Sequence, residues 1–123
     1  MKALVVDDSR AMRLIIARQL KSLGFLTLEA CNGREALEVI ASSGPFDIAL
    51  VDWNMPIMNG LELVLEVRRD RAYDEMAIMM VTTESEQDQV MRAIEAGASE
   101  YLMKPFAPEA IEEKLVILGL RAA

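Results

Sequence analysis

Five short apolar runs, each followed by a stretch with helical spacing, divide the 123 residues into repeated units. The runs are Ala3-Leu4-Val5-Val6, Leu26-Thr27-Leu28-Glu29-Ala30, Asp47-Ile48-Ala49-Leu50-Val51, Ala77-Ile78-Met79-Met80-Val81 and Tyr101-Leu102-Met103. Strand followed by helix, five times over, predicts an α/β fold with a doubly wound parallel sheet and right-handed crossovers. Residues 77–81 are apolar throughout, as suits a strand covered on both faces. The loosely regular spacing could also suggest a leucine-rich solenoid, but no L-x-x-L-x-L signature occurs. The length suits one domain, residues 1–123, without linker or low-complexity tract.

The intervening segments carry their own start and stop signals. Ser9 can cap a first helix whose apolar stripe is Met12, Ile15, Ile16, Leu20 and Leu23, with Gly24 as its stop. Asn32-Gly33 turns into a second helix striped by Ala36, Leu37 and Ile40, and Ser42-Ser43-Gly44-Pro45 ends it. After a loop over 53–60, residues 61–69 read as a helix with Leu61, Val64, Leu65 and Val67 apolar. Residues 88–96 form a fourth helix with Val90, Met91 and Ile94 inward, closed by Gly97. Pro108 opens a last helix through Leu118, with Glu109, Glu112 and Glu113 near its positive end. The nine methionines, Met79, Met80 and Met103 among them, read as core filler.

Acidic and basic residues sit where three of the runs end. Asp7-Asp8 follow the first, Asp52 the third and Lys104-Pro105 the fifth. Parallel strands would bring these ends together at the edge where open α/β sheets place their chemistry. Carboxylates about 5 Å apart repel by roughly 3 kcal/mol per pair at an effective dielectric near 20, and a hard divalent cation removes that repulsion. Three carboxylates facing one lysine therefore suggest a magnesium-dependent phosphoryl site, with Asp52 able to act as a nucleophile toward phosphorus.

Composition narrows the alternatives. Net charge of -7 disfavours direct nucleic-acid binding. The chain has no histidine and a single cysteine, Cys31, which excludes an internal disulfide, zinc chemistry and a Ser-His-Asp triad. No apolar segment approaches the ~18 residues of a membrane span, and the opening run is too short for a signal peptide, so a cytoplasmic location is expected.

Four ordered motifs complete the reading: Val5-Val6-Asp7-Asp8-Ser9; Asp52-Trp53-Asn54-Met55-Pro56 with Asn59-Gly60; Val81-Thr82-Thr83-Glu84; and Lys104-Pro105-Phe106. Together they resemble the receiver domains of two-component response regulators, most closely the single-domain chemotaxis members, over essentially the whole chain. The resemblance implies a flavodoxin-like (βα)5 fold with strand order 2-1-3-4-5. It implies Asp52 as phosphoacceptor, with Asp8 and Asp52 binding Mg2+ directly, Asp7 through water and Asn54 through its backbone carbonyl. Lys104 would reach a phosphoryl oxygen, Pro105 would follow a cis bond, and Thr82 would donate its hydroxyl to the phosphoryl group. Asn54 and Glu84 would flank the hydrolytic water, while Thr82 and Tyr101 would switch the output face.

The implied donor is a phosphohistidine on a sensor histidine kinase. The implied target is a downstream protein at the face of the fourth helix, fifth strand and fifth helix, bound by a monomer or weak dimer. Such a receiver catalyses only its own phosphorylation and dephosphorylation. Two departures stand out: Thr83 is larger than the family's usual residue, and Glu86-Gln87 replace the lysines of flagellar-switch-binding relatives. The latter weighs against the flagellar motor as partner. Alternatives within the class are a phosphorelay shuttle or a receiver from a longer regulator. An aspartyl-nucleophile phosphatase of the haloacid dehalogenase type would place a second aspartate where Asn54 stands.

Overall fold

The computed structural model describes residues 1–83 and 87–121, the side chain of Gln87 excepted. Five strands alternate with five helices: β1 (Lys2–Val6), α1 (Arg10–Ser22), β2 (Leu26–Ala30), α2 (Gly33–Ser43), β3 (Ile48–Asp52), α3 (Gly60–Arg68), β4 (Ala77–Thr83), α4 (Gln87–Ala96), β5 (Glu100–Lys104) and α5 (Pro108–Ile117). A short 3-10 turn, Arg71–Tyr73, precedes β4; the periodicity does not announce it. The sheet is parallel throughout, in the order β2-β1-β3-β4-β5. Chain order reverses between β1 and β3, so the carboxyl ends of those two strands flank the crevice where doubly wound sheets bind ligands.

The period of two along each strand builds two core layers. On one face Leu4, Val6, Ala49, Val51, Ile78 and Met80 pack beneath α2, α3 and α4. On the other Ala3, Val5, Ile48, Leu50, Met79 and Val81 meet Ile16 and Leu20 of α1 and Ile111 and Leu115 of α5. Met79 and Met80 are fully buried, as core filler should be, but the core-filler reading does not extend to every methionine: Met103 is half-buried, and Met1 and Met91 are exposed.

Several helix positions turn outward against expectation. Ile15, Leu65, Met91 and Ile94 are 47%, 47%, 63% and 37% exposed. Each lies about 100° around the helix from a residue that is buried instead. In α1 the inward stripe runs through Ile16, Ala17 and Leu20; in α3 it takes Leu63 with Val64 and Val67; in α4 it takes Val90 and Ala93. Ala17 and Ala93 are themselves buried, so part of the inward stripe is made of small residues, while the larger Ile15 and Ile94 nearby face solvent.

Strand limits also shift. β3 starts at Ile48 because Asp47 serves as a tie, its Oδ2 accepting the Lys2 backbone N–H at 2.8 Å. β4 continues through Thr82 and Thr83, which pair in register with Met103 and Lys104 of a correspondingly longer β5.

Candidate functional site

Asp7 follows β1 directly and is clamped on every side. Its backbone N–H donates to Ala30 O at 3.1 Å, its Oδ1 accepts Ser9 N–H at 2.8 Å, and its carbonyl accepts Arg13 Nη1 at 2.7 Å. Ser9 then caps α1 by accepting the Met12 N–H at 3.2 Å, so the turn that starts the helix also orients the acid. Asp7 is 2% exposed, whereas Asp8 faces solvent.

Asp52 is the last residue of β3, level with Val81 of β4 and 8% exposed. The loop after it folds back tightly. Gly60 N–H donates to Trp53 O at 2.9 Å, and a Cβ on Gly60 would stand 2.5 Å from Asp52 O. Glycine is therefore required where α3 passes the phosphoacceptor candidate. Asn59 and Glu62 close a reciprocal capping box on that helix, fixing the far end of the loop. Gly33 meets the same loop, its N–H donating to Met58 O at 3.1 Å.

Lys104 ends β5, with the end of β4 lying between it and β3. Its side chain crosses that gap to place Nζ 3.2 Å from Asp52 Oδ1 and 3.4 Å from Asp7 Oδ2. The Lys104–Pro105 peptide bond is cis, as the motif implies, and so is Gly44–Pro45. Asp7, Asp8 and Asp52 offer carboxylate oxygens that all lie within 4.8 Å of one another. Residues remote in the chain thus meet at one edge.

One ammonium among three carboxylates leaves the cluster short of positive charge. Burial and the neighbouring Asp7 push the Asp52 carboxyl up to about 6 from 3.8; Lys104 pulls the other way and Asp8 adds to the rise. Burial also works against the Lys104 ammonium, but Asp52 and Asp7 outweigh it and hold it above the ordinary lysine value. An all-oxygen donor set with excess negative charge suits a hard divalent cation.

The other expected residues are placed less directly. Thr82 is fully buried at the end of β4 and its hydroxyl donates a long bond, 3.9 Å, to Met103 Sδ. Asn54 is exposed on the loop two residues beyond Asp52. Tyr101 is half-buried on β5, with Lys114 Nζ of α5 4.6 Å from its ring centroid. Glu84 and Glu86 lie outside the described residues. Sequence reasoning missed Arg13, which braces Asp7 and pairs with Glu29 Oε1 at 3.1 Å, and it missed Lys114 beside Tyr101. Arg13 carries a faint signal, one turn after the helix cap that follows the paired acids.

Residues 3–116 match the response regulator receiver domain family model. The chain is 47% identical over 121 residues to chemotaxis protein CheY1 of Helicobacter pylori, covering 97% of this chain and 98% of that one. A Campylobacter jejuni CheY homolog is 47% identical over 116 residues, covering 94% of this chain and 89% of its own length. Among solved structures, chemotaxis response regulator CheY4 of Vibrio cholerae superimposes with a TM-score of 0.87 at 37% identity, over 95% of this chain and 97% of that one.

Proposed function

The chain belongs to the response regulator receiver domain family as a CheY-like member, and from that premise we propose that Asp52 is its phosphoacceptor in a magnesium-dependent signalling switch. The observation that carries the reading is the convergence of Asp7, Asp8 and Asp52 within 4.8 Å, with Lys104 bonded to two of them. Asp8 and Asp52 would hold Mg2+ directly, Asp7 through water, and Asn54 by its carbonyl. A bound Mg2+ supplies charge neutralisation at the acids and at the transferred phosphoryl oxygens.

In the transfer, an Asp52 carboxylate oxygen bonds to phosphorus as the P–N bond of a kinase phosphohistidine breaks. The electron pair leaves on the imidazole nitrogen, which takes up a proton. With no histidine of its own, the chain receives its phosphoryl group from another molecule. Lys104 is free to follow the charge outward from Asp52 to a phosphoryl oxygen, and catalysis is chiefly positioning and electrostatics. Hydrolysis adds water across the acyl phosphate and returns the carboxylate with inorganic phosphate, Asn54 and Glu84 flanking the water. While Asp52 carries the phosphoryl group, Thr82 moves toward the new charge and Tyr101 reorients, reshaping the α4–β5–α5 face for a downstream protein; hydrolysis reverses the change. Residues 1–123 act as one receiver unit whose only turnover is its own modification.

Trp53, 7% exposed and adjacent to Asp52, reports on the reaction. Acetyl phosphate with Mg2+ should change its emission and add one phosphoryl group by intact mass, and Asp52→Asn should abolish both. A folded wild-type protein that gains no mass with Mg2+ and donor present would sink the assignment.

A further inference from the structure

Lys114 has two partners on β5, and they are consecutive residues. Its Nζ donates to Glu100 Oε1 at 3.1 Å and lies 4.6 Å from the Tyr101 ring centroid. The same carboxylate oxygen accepts the backbone N–H of Tyr101 at 2.9 Å. One oxygen therefore fixes both the main chain of Tyr101 and the cation beside its ring. The ion pair is half sheltered, with the Lys114 and Glu100 side chains 25% and 18% exposed. Away from the ammonium, Tyr101 packs against the core layer that holds Met80 and Ala93. The ring thus lies between an apolar layer and a positive charge, and an ammonium within about 6 Å of an aromatic ring attracts its negative face.

We propose that Lys114, steered by Glu100, is a positioning residue that latches the Tyr101 ring in its half-buried orientation. The latch makes that orientation depend on charge at the α5–β5 face, so any event that removes or redirects the Lys114 cation loosens the ring. The latch itself is independent of phosphorylation. Its regulatory meaning, a restraint that switching must overcome, rests on the reading of Tyr101 given above.

The test is NMR of the full chain carrying 13C-labelled tyrosine rings. Tyr73, the second of the two tyrosines, serves as internal control. Lys114→Met keeps the stem and removes the charge; it should move the Tyr101 ring signals and shift the ratio of ring orientations about three- to tenfold, leaving Tyr73 unchanged. Lys114→Arg keeps a cation and should restore the wild-type signals. Glu100→Gln should move them in the same direction as Lys114→Met by a smaller amount. In 1 M NaCl, where the screening length falls to about 3 Å, wild-type signals should drift toward those of Lys114→Met while that variant stays put. Tyr101 signals unchanged in Lys114→Met, or changed equally by Arg and Met, would overturn the latch and leave packing alone.

Beryllofluoride with Mg2+ provides the second arm. If Tyr101 responds, it should do so at lower beryllofluoride in Lys114→Met than in wild type; an equal response would refute the restraint. If Tyr101 ignores beryllofluoride in every variant yet keeps its charge dependence, the switch reading of Tyr101 fails while the latch stands.

Discussion

Asp52 ends β3 and Ile57 lies five positions on in the loop that follows, and each is held in a state its side chain disfavours. For Asp52 the disfavoured state is ionisation, its carboxyl raised to about 6 from 3.8. A group with a raised value binds more proton in the folded than in the unfolded chain between those two limits. Its stabilising contribution is therefore complete below pH 3.8 and is lost as pH rises through about 6. Acidifying metal-free protein from pH 7 to pH 5 should recover on the order of 1 kcal/mol from this residue. In denaturant titrations wild type should gain about that much relative to Asp52→Asn between pH 7 and pH 5; a gap that stays constant across the window would refute the strain. Ile57 has φ of 71° and is 73% exposed. A β-branched residue in the left-handed region costs roughly 1–2 kcal/mol, and its exposure means little packing is lost on replacement. Ile57→Asn, which tolerates that region, should stabilise the protein by about 1 kcal/mol in urea unfolding. The positions of the acids were legible because each ends an apolar run. The strain at Ile57 was not, since nothing in the surrounding residues fixes the sign of φ.

At the scale of elements, Arg68 is the tie that periodicity could not reveal. It ends α3 and donates to three main-chain carbonyls: Nε to Gly97 at 3.0 Å, Nη1 to Tyr73 at 2.7 Å and Nη2 to Met76 at 2.7 Å. These belong to the turn between α4 and β5 and to the chain leading into β4, so one guanidinium joins three segments. Burial lowers its proton affinity from the ordinary arginine value, and nearby Asp74 acts to raise it. The planar fork is what makes three directed bonds possible, and a lysine cannot reproduce them. Arg68→Met should cost about 2–4 kcal/mol, and Arg68→Lys should recover less than half of that loss. Full recovery by lysine in a chemical denaturation series would show that charge, not geometry, matters here. A single arginine at a helix end has no sequence signature, because its partners lie up to 29 residues away. The same blindness explains Met91 and Ile94: local spacing identifies an apolar side of α4, but tertiary packing, which buries Val90 and Ala93, decides which edge of it faces the sheet.

The whole molecule carries a formal charge of -7 and gathers three of its carboxylates at one edge of the sheet, two of them buried. Parallel order and the run ends made that gathering legible before any coordinates, since β1 and β3 must be neighbours in the 2-1-3-4-5 sheet for Asp7 and Asp52 to meet. What the pattern could not supply was the division among the acids: Asp7 and Asp52 are buried and bonded to Lys104, whereas Asp8 is left exposed. The unfolded chain separates residue 52 from the adjacent residues 7 and 8, so a divalent cation that needs all three binds only the folded state. Such a ligand stabilises by mass action, about 1.4 kcal/mol at ten times its dissociation constant. For a domain of this size that corresponds to a rise in Tm of about 4–6 °C. Monovalent salt also screens a chain this acidic, so the comparison must be made at matched ionic strength. Under that control MgCl2 should raise Tm in a saturable way, Asp8→Asn should remove most of the rise, and the rise should shrink at pH 5 as Asp52 takes up its proton. A shift reproduced by NaCl of equal ionic strength would mean that diffuse screening, and not a metal held by these three carboxylates, governs the stability of the fold.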